Sequence, residues 1–303
     1  MKFHSEYIAP KAPFPLSPER PAVLVGSCFS GNMASKMREH DWEAGNPLGT
    51  LYNPLSIGIA LRLMLEHEHQ ALKEFEDSLF MFNGLWNSRW FDSSFSSSQK
   101  EDCIKDFQNR RNDFIQKISK GKRLIVTFGT SICYFLDEDR EPVGNCHKQP
   151  SSLFHTRRLS IEEIFIFWKD IIYKLQEKFP NLKTIFTVSP VRHLKDGFSG
   201  NARSKAVLQL AVERICNEIP DCHYFPAYEI LTDDLRDYRF YASDLAHPSE
   251  QAIAYIWQKF LDTYLDTEGL KLLEEGARKV KALSHRPKLG ALGKPLKENG
   301  GHP

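Results

Sequence analysis

The chain has 303 residues, 41% of them hydrophobic and 26% charged, a balance that suits a globular protein and excludes a disordered or fibrous one. Its 40 basic and 39 acidic side chains leave a net charge of +1, so nothing in the charge draws it to nucleic acid or to an anionic membrane. No apolar run is long enough to span a bilayer, the N-terminus MKFHSEYIAPKAPFPLSPERP lacks the apolar core of a secretory signal, and six irregularly spaced cysteines fit reduced thiols, so the expected location is the cytoplasm.

Residues 1–21 are expected to form an extended arm, because Pro10, Pro13, Pro15 and Pro18 oppose a helix. AVLVG, 22–26, reads as a buried strand, and Gly31–His40 as the helix after it. NPLGTLYN, 46–53, is a loop, and Pro54 suits the first turn of a helix carrying Leu55, Ile59, Leu63 and Leu65. Residues 75–96 are aromatic-rich and irregular, with Phe80, Phe82, Trp86, Trp90, Phe91 and Phe95. Ser98 and Glu101 have the spacing of a capping box; the helix they open carries Ile104, Phe107, Phe114 and Ile118 and ends at Gly121. LIVTFGT, 124–130, is a strand running into a turn, and a hairpin is predicted over 132–147. Ser160 and Glu163 cap a second helix with a broad apolar stripe, stopped by Pro180. TIFTVSP, 184–190, is a strand, 200–219 is helical, and Cys222–Phe225 is a short strand. Pro248 starts a helix over 248–265, 266–284 is a C-terminal helix, and 285–303 is a flexible tail.

Strands alternate with helices of crossover length across one domain, 22–265. That pattern predicts an α/β fold, a three-layer α/β/α sandwich with a mostly parallel central sheet. Such sheets hold their sites at the carboxyl ends of strands. The turns Gly26-Ser27-Cys28, Gly129-Thr130-Ser131 and Ser189-Pro190 fall there. Near the far end of the chain, YASDLAHPSEQ places Asp244 three residues before His247, just ahead of a helix. A nucleophile needs a base to take its proton, and the base needs a partner that fixes its tautomer. Asp244 and His247 supply both, and Ser27 or Cys28 supplies the nucleophile.

A nucleophile after the first strand and an Asp-x-x-His before the last helix resemble the SGNH hydrolase superfamily, whose fold is flavodoxin-like. More narrowly, the chain resembles the GSCFA family. Gly26-Ser27-Cys28-Phe29-Ser30 carries its motif, with Ser30 in place of the final alanine. GTLYNPLSI, GLWNSRWFDSSFSS, LIVTFGTS, NCHK, TVSPVRHLKDG, YFPAYEI and DDLRDYRFY resemble further family segments in order, so the likeness spans about residues 20–262. The resemblance implies acyl-ester hydrolysis through a covalent acyl-enzyme, with a carbohydrate ester as one substrate. Strict register with the superfamily favours Cys28 as the nucleophile, and a one-residue shift favours Ser27. A helix starting directly after the turn is expected to lower the Cys28 pKa. The resemblance gives the oxyanion hole the nucleophile's own N–H and Gly49. The superfamily's third donor, an asparagine, is absent from Gly129-Thr130-Ser131-Ile132, which leaves Thr130, Ser131 or Asn145 to replace it.

Trp86, His147, Arg192 and His193 are the expected substrate-binding residues. Arg192 suits a carboxylate or phosphate, or else pairs with the aspartates at 233–237. Cys146, His147 and His155 lack the paired spacing of a zinc site, and there is no Gly-rich phosphate loop, so neither a metal nor any other cofactor is expected. The expected partner is a small-molecule or carbohydrate ester; the sequence sets no oligomeric state. Two other readings stay open at this point, an O-acyltransferase with a coenzyme-A-type donor and a non-catalytic binding module on the same fold.

Overall fold

The computed structural model describes residues 5–136 and 141–284. In β1 (Ala22–Gly26) every side chain is buried, Val23 and Val25 in one apolar cluster and Ala22 and Leu24 in the other. A strand covered on both faces reads as an unbroken apolar run, which is why AVLVG shows no alternation. The chain turns at once into α1 (Cys28–Arg38), three residues earlier than the sequence suggests. Gly26 makes this possible: its φ is +120°, and a side-chain carbon there would lie 2.1 Å from the Thr127 carbonyl oxygen. The two-residue β2 (Ala44–Gly45) follows, then the loop at 46–53 and α2 (Pro54–Leu65), capped by Asn53 with Pro54 in its first turn.

Residues 66–96 are more regular than expected. They form α3 (Glu68–Asp77) and a hairpin of β3 (Leu79–Phe82) and β4 (Leu85–Ser88), turning on Asn83 and Gly84, both with positive φ. The helix after them, α4 (Lys100–Gly121), begins beyond the expected capping box: Gln99 is its N-cap, with no side-chain cap bond. The reason lies one step earlier, where Trp86 and Ser97 exchange backbone hydrogen bonds and hold the chain extended against β4. The other capping box is real. Ser160 and Glu163 bond reciprocally at the start of α5 (Ile161–Lys178).

Between these helices run β5 (Arg123–Phe128), β6 (Ile132–Leu136), β7 (Pro142–Val143) and β8 (Phe154–Arg158). The hairpin expected over 132–147 is thus part of a three-stranded antiparallel sheet, β7-β6-β8. The chain continues through β9 (Lys183–Val188), α6 (Gly197–Glu218), β10 (Cys222–Phe225), the short α7 (Ala227–Glu229) and a π-helical turn at Ile230–Leu235. It closes with α8 (Glu250–Tyr264), capped by Ser249 rather than started by Pro248, and α9 (Thr267–Ser284). The tail expected at 285–303 lies outside the described residues.

The central sheet has five strands, all parallel, in the order β10-β9-β5-β1-β2. Helices cover both faces, giving the three-layer sandwich. One cluster packs α2, α4, α5 and α6 on Val23, Val126 and Phe186; the other packs Phe29 and Met33 of α1 and Ile256 and Phe260 of α8 on Leu24, Ile125 and Ile185. The arm before β1 has no regular element in its described part. Phe14 and Leu16 are buried, and Ala12 and Leu16 donate to the Thr263 and Tyr264 carbonyls at the end of α8. Among the described residues, no helix is long and apolar enough to cross a membrane.

Candidate active site

The carboxyl ends of β1, β5 and β9 converge on one place. Lys205 of α6 lies beneath it, fully buried, and its ammonium donates to the Gly129 carbonyl (2.6 Å) after β5 and the Ser189 carbonyl (2.7 Å) after β9. Burial lowers its pKa to about 7, with the nearby Cys28 and Glu229 acting in the opposite direction. Nothing in the sequence reading marked Lys205. The signal was its place on the apolar stripe of α6, between Leu208 and Asn201, where an ordinary surface lysine does not fall.

Cys28 opens α1 and is half-buried, whereas Ser27, the N-cap, is 1% exposed. Among the described residues the Ser27 hydroxyl has no hydrogen-bond partner, and it makes no cap bond. The expectation of a lowered thiol pKa at Cys28 is not met. Burial raises it, outweighing the Phe29 and Cys28 N–H groups and the Lys205 charge, which all pull it down, while Asp244 pushes it further up.

The Asp244–His247 pair forms as expected. His247 Nδ1–H donates to Asp244 Oδ2 at 2.6 Å, and Asp244 Oδ1 accepts the Ala246 and His247 backbone N–H groups at 2.9 and 3.0 Å. Those two N–H groups, with the imidazole, hold the Asp244 carboxyl down to about 2. The tautomer is thereby fixed, leaving the Nε2 lone pair for a proton. The loop that carries the pair is joined across its base: Ala242 N–H donates to the His247 carbonyl, Ser249 N–H to the Phe240 carbonyl, and Tyr241 bridges Pro248. No hydrogen bond joins His247 to Cys28 among the described residues.

His247 lines a cleft of about 360 Å³ together with Tyr52, Asn53, Thr130, Asn145, Arg192 and His193. Of the expected site residues, Thr130, Asn145, Arg192, His193 and His247 are thus brought together. His193 is held neutral, its pKa lowered to about 4 by burial and by the nearby Lys205 and His247. Its Nε2 is buried beside Gly129, whose backbone acts on it; a side-chain carbon at Gly129 would come within 3.4 Å of that nitrogen and of Ser27 Cβ. Arg192 does not pair with the aspartates at 233–237. Its guanidinium lies 4.4 Å from the Tyr241 ring centroid and 5.7 Å from that of Tyr238.

Two expected ligand-binding residues lie elsewhere. Trp86 lines no part of this cleft: it sits on the hairpin, with the Lys100 ammonium 5.6 Å from its ring centroid. His147 is buried and donates from Nε2 to the Ser88 carbonyl at 2.7 Å, tying the 145–149 turn to β4. The expected oxyanion donors are partly engaged. Gly49 N–H faces the Asn46 carbonyl at 3.4 Å, and Thr130 N–H donates to the Tyr52 carbonyl at 3.0 Å. Ser131 is fully buried and bonded to Ser204. Two amides, Asn53 and Asn145, line the cleft. Asn145 Oδ1 is occupied by the His147 N–H, and Asn53 Oδ1 accepts from Ser56 N–H, Ser56 Oγ and Cys133 Sγ. Each carbonyl is thus committed, which leaves the NH₂ group of each side chain for the cleft. Asn53 read in sequence only as the residue before Pro54. Among the described residues no group of three or more His, Cys, Asp or Glu side chains is placed to hold a metal.

A parallel α/β sandwich with a thiol at its first helix and a carboxylate-held histidine on the loop before α8 is the class that these observations define. Family comparison matches residues 21–260 to the GSCFA family, and the chain belongs to that family. A comparison with curated proteins found no match. Among solved structures the chain is similar to a Clostridium thermocellum family 3 carbohydrate esterase, at 9% identity and a TM-score of 0.34, over 85% of this chain and 98% of that one.

Proposed function

We propose that the protein is an acyl-ester hydrolase working through a covalent acyl-enzyme on Cys28, with an O-acylated carbohydrate as its substrate class. The observation that carries this reading is the 2.6 Å Asp244–His247 bond, which holds an imidazole at the cleft that His247 lines; Cys28 is not among the lining residues, and it feels the charge of Asp244 and acts on Tyr52 of that cleft. Cys28 is favoured over Ser27 because it is the more accessible of the two.

In this mechanism His247 Nε2 takes the thiol proton as Sγ bonds to the ester carbonyl carbon. Burial pushes the Cys28 thiol up, which fits a role for His247 in taking its proton. The carbonyl becomes an oxyanion that accepts from the Cys28 N–H and from the Asn53 or Asn145 amide. As the intermediate collapses, the bond to the alcohol oxygen breaks and His247 returns its proton to that oxygen. Water, deprotonated by His247, then attacks the thioester, and Cys28 leaves as the thiol. Asp244 stays ionised throughout and holds the imidazole.

The test is labelling of the purified protein by iodoacetamide, read by intact mass and peptide mapping, alongside hydrolysis of p-nitrophenyl acetate. Fast alkylation of Cys28, and ester hydrolysis that is lost in His247→Ala, support the reading. Alkylation indifferent to His247, with no hydrolysis, would make the opening turn purely structural.

A further inference from the structure

Beyond Arg192 the cleft meets a second groove of about 300 Å³, lined by Arg192 itself and by Phe198, Asn201, Tyr228, Thr232 and Tyr238 among others. Three features of this groove have no role in the chemistry above. The first is the charge. Arg192 has no carboxylate partner among the described residues, and neither groove has an Asp or Glu in its lining. Asp237, the nearest acid in sequence to Tyr238, is taken up by Arg239 and by the cap of the turn at Tyr238–Phe240. The guanidinium is held by the Tyr241 and Tyr238 rings instead. One donor of the guanidinium bonds the Tyr241 side chain, and the remaining N–H groups, with no carboxylate partner among the described residues, suit a planar or tetrahedral anion.

The second feature is the rim. Phe198 is 77% exposed and Tyr238 64% exposed, two rings left largely open at the groove's rim. Exposed aromatic faces beside a polar groove suit the C–H face of a sugar ring. The third is the wall, where Thr232 sits in the π-helical turn at Ile230–Leu235, an irregularity more often found at functional sites than elsewhere.

The position of Arg192 says which half of an ester would reach it. Its backbone N–H donates to the Ala246 carbonyl at 3.0 Å, directly beside His247. His247 must reach the leaving oxygen, so the alcohol half of the substrate lies on this side. We infer that the groove beyond Arg192 is a subsite for an anionic group carried on the alcohol half, a sugar bearing a carboxylate or a phosphate. This rests on the ester-hydrolase reading and narrows it to anionic saccharide esters.

The probes are methyl glucuronoside, glucose 6-phosphate and neutral methyl glucoside, titrated calorimetrically into the wild-type protein and Arg192→Met at low ionic strength. At least tenfold tighter binding of one anionic sugar over the neutral one, lost in Arg192→Met and partly kept in Arg192→Lys, supports the subsite. Which anion binds distinguishes a carboxylate from a phosphate. Equal binding of charged and neutral sugars, or a preference that survives Arg192→Met, overturns it. The O-acetylated forms of the same sugars then separate the two readings. Hydrolysis without any preference for charge defeats the subsite alone, while anion binding without hydrolysis of any ester defeats the hydrolase reading on which it rests.

Discussion

Replacing Lys205 by Met tests the electrostatics beneath the site, because its effect must depend on pH in one direction. The unfolded chain holds the lysine proton up to about 10.5, the folded chain only up to about 7. Between those values the unfolded state binds more protons, so raising the pH favours folding. Burial of this group costs about 4 kcal/mol at pH 7 and about 2 kcal/mol at pH 9, from the two pKa values and 1.36 kcal/mol per unit. Methionine removes that cost but leaves the Gly129 and Ser189 carbonyls without their ammonium, a penalty of roughly 1–3 kcal/mol each that does not vary with pH. The two effects nearly cancel at pH 7, and the loss prevails at pH 9. Urea unfolding of both proteins at each pH, with Cys28→Ser in both backgrounds, gives the comparison; groups that do not feel the Lys205 charge drop out of the difference. The wild-type advantage should grow by about 2 kcal/mol from pH 7 to pH 9. A difference constant to within about 0.5 kcal/mol would show that Lys205 does not titrate in this range and would refute the reasoning.

Gly26→Ala should destabilise the protein by about 3 kcal/mol or more, measured by urea unfolding, since a Cβ would collide with the Thr127 carbonyl at a backbone angle closed to alanine. Asp244→Asn should lower ester turnover by about 10²–10⁴-fold with little change in melting temperature, because the pair is exposed and serves the imidazole tautomer rather than the core. Unaltered turnover in that variant would remove His247 as the base.

Much of the fold was legible because its signals are local. The apolar runs 22–26, 124–128 and 184–188 needed no tertiary knowledge, and Ser160 with Glu163 marked a helix start that the structure keeps. The same spacing at Ser98 and Glu101 misled, since a backbone pairing between Trp86 and Ser97 overrides the local preference. The hairpin at 79–88 was missed although its Asn83-Gly84 turn is a strong signal; the crowded aromatics masked the alternation. In the site, Asp244 and His247 were readable because they are three residues apart. Asn145 was readable as a candidate donor, whereas Asn53 was not, because its place at the cleft depends on partners as distant as Cys133. The thiol pKa went the other way from the sequence argument for a similar reason: a helix start is visible in sequence, and the extent of burial is not.

The joined base of the loop at 240–249 bears on how such a site could be controlled. Acid and base sit on the same short loop, with no other element between them. A shift of that loop would alter the distance from imidazole to sulphur while leaving the imidazole's own partner in place. Reactivity can then be turned up or down by position alone, without undoing the proton arrangement. On the proposed mechanism, a loop position that keeps the imidazole from the sulphur leaves the thiol slow toward electrophiles, and one that brings them together speeds it.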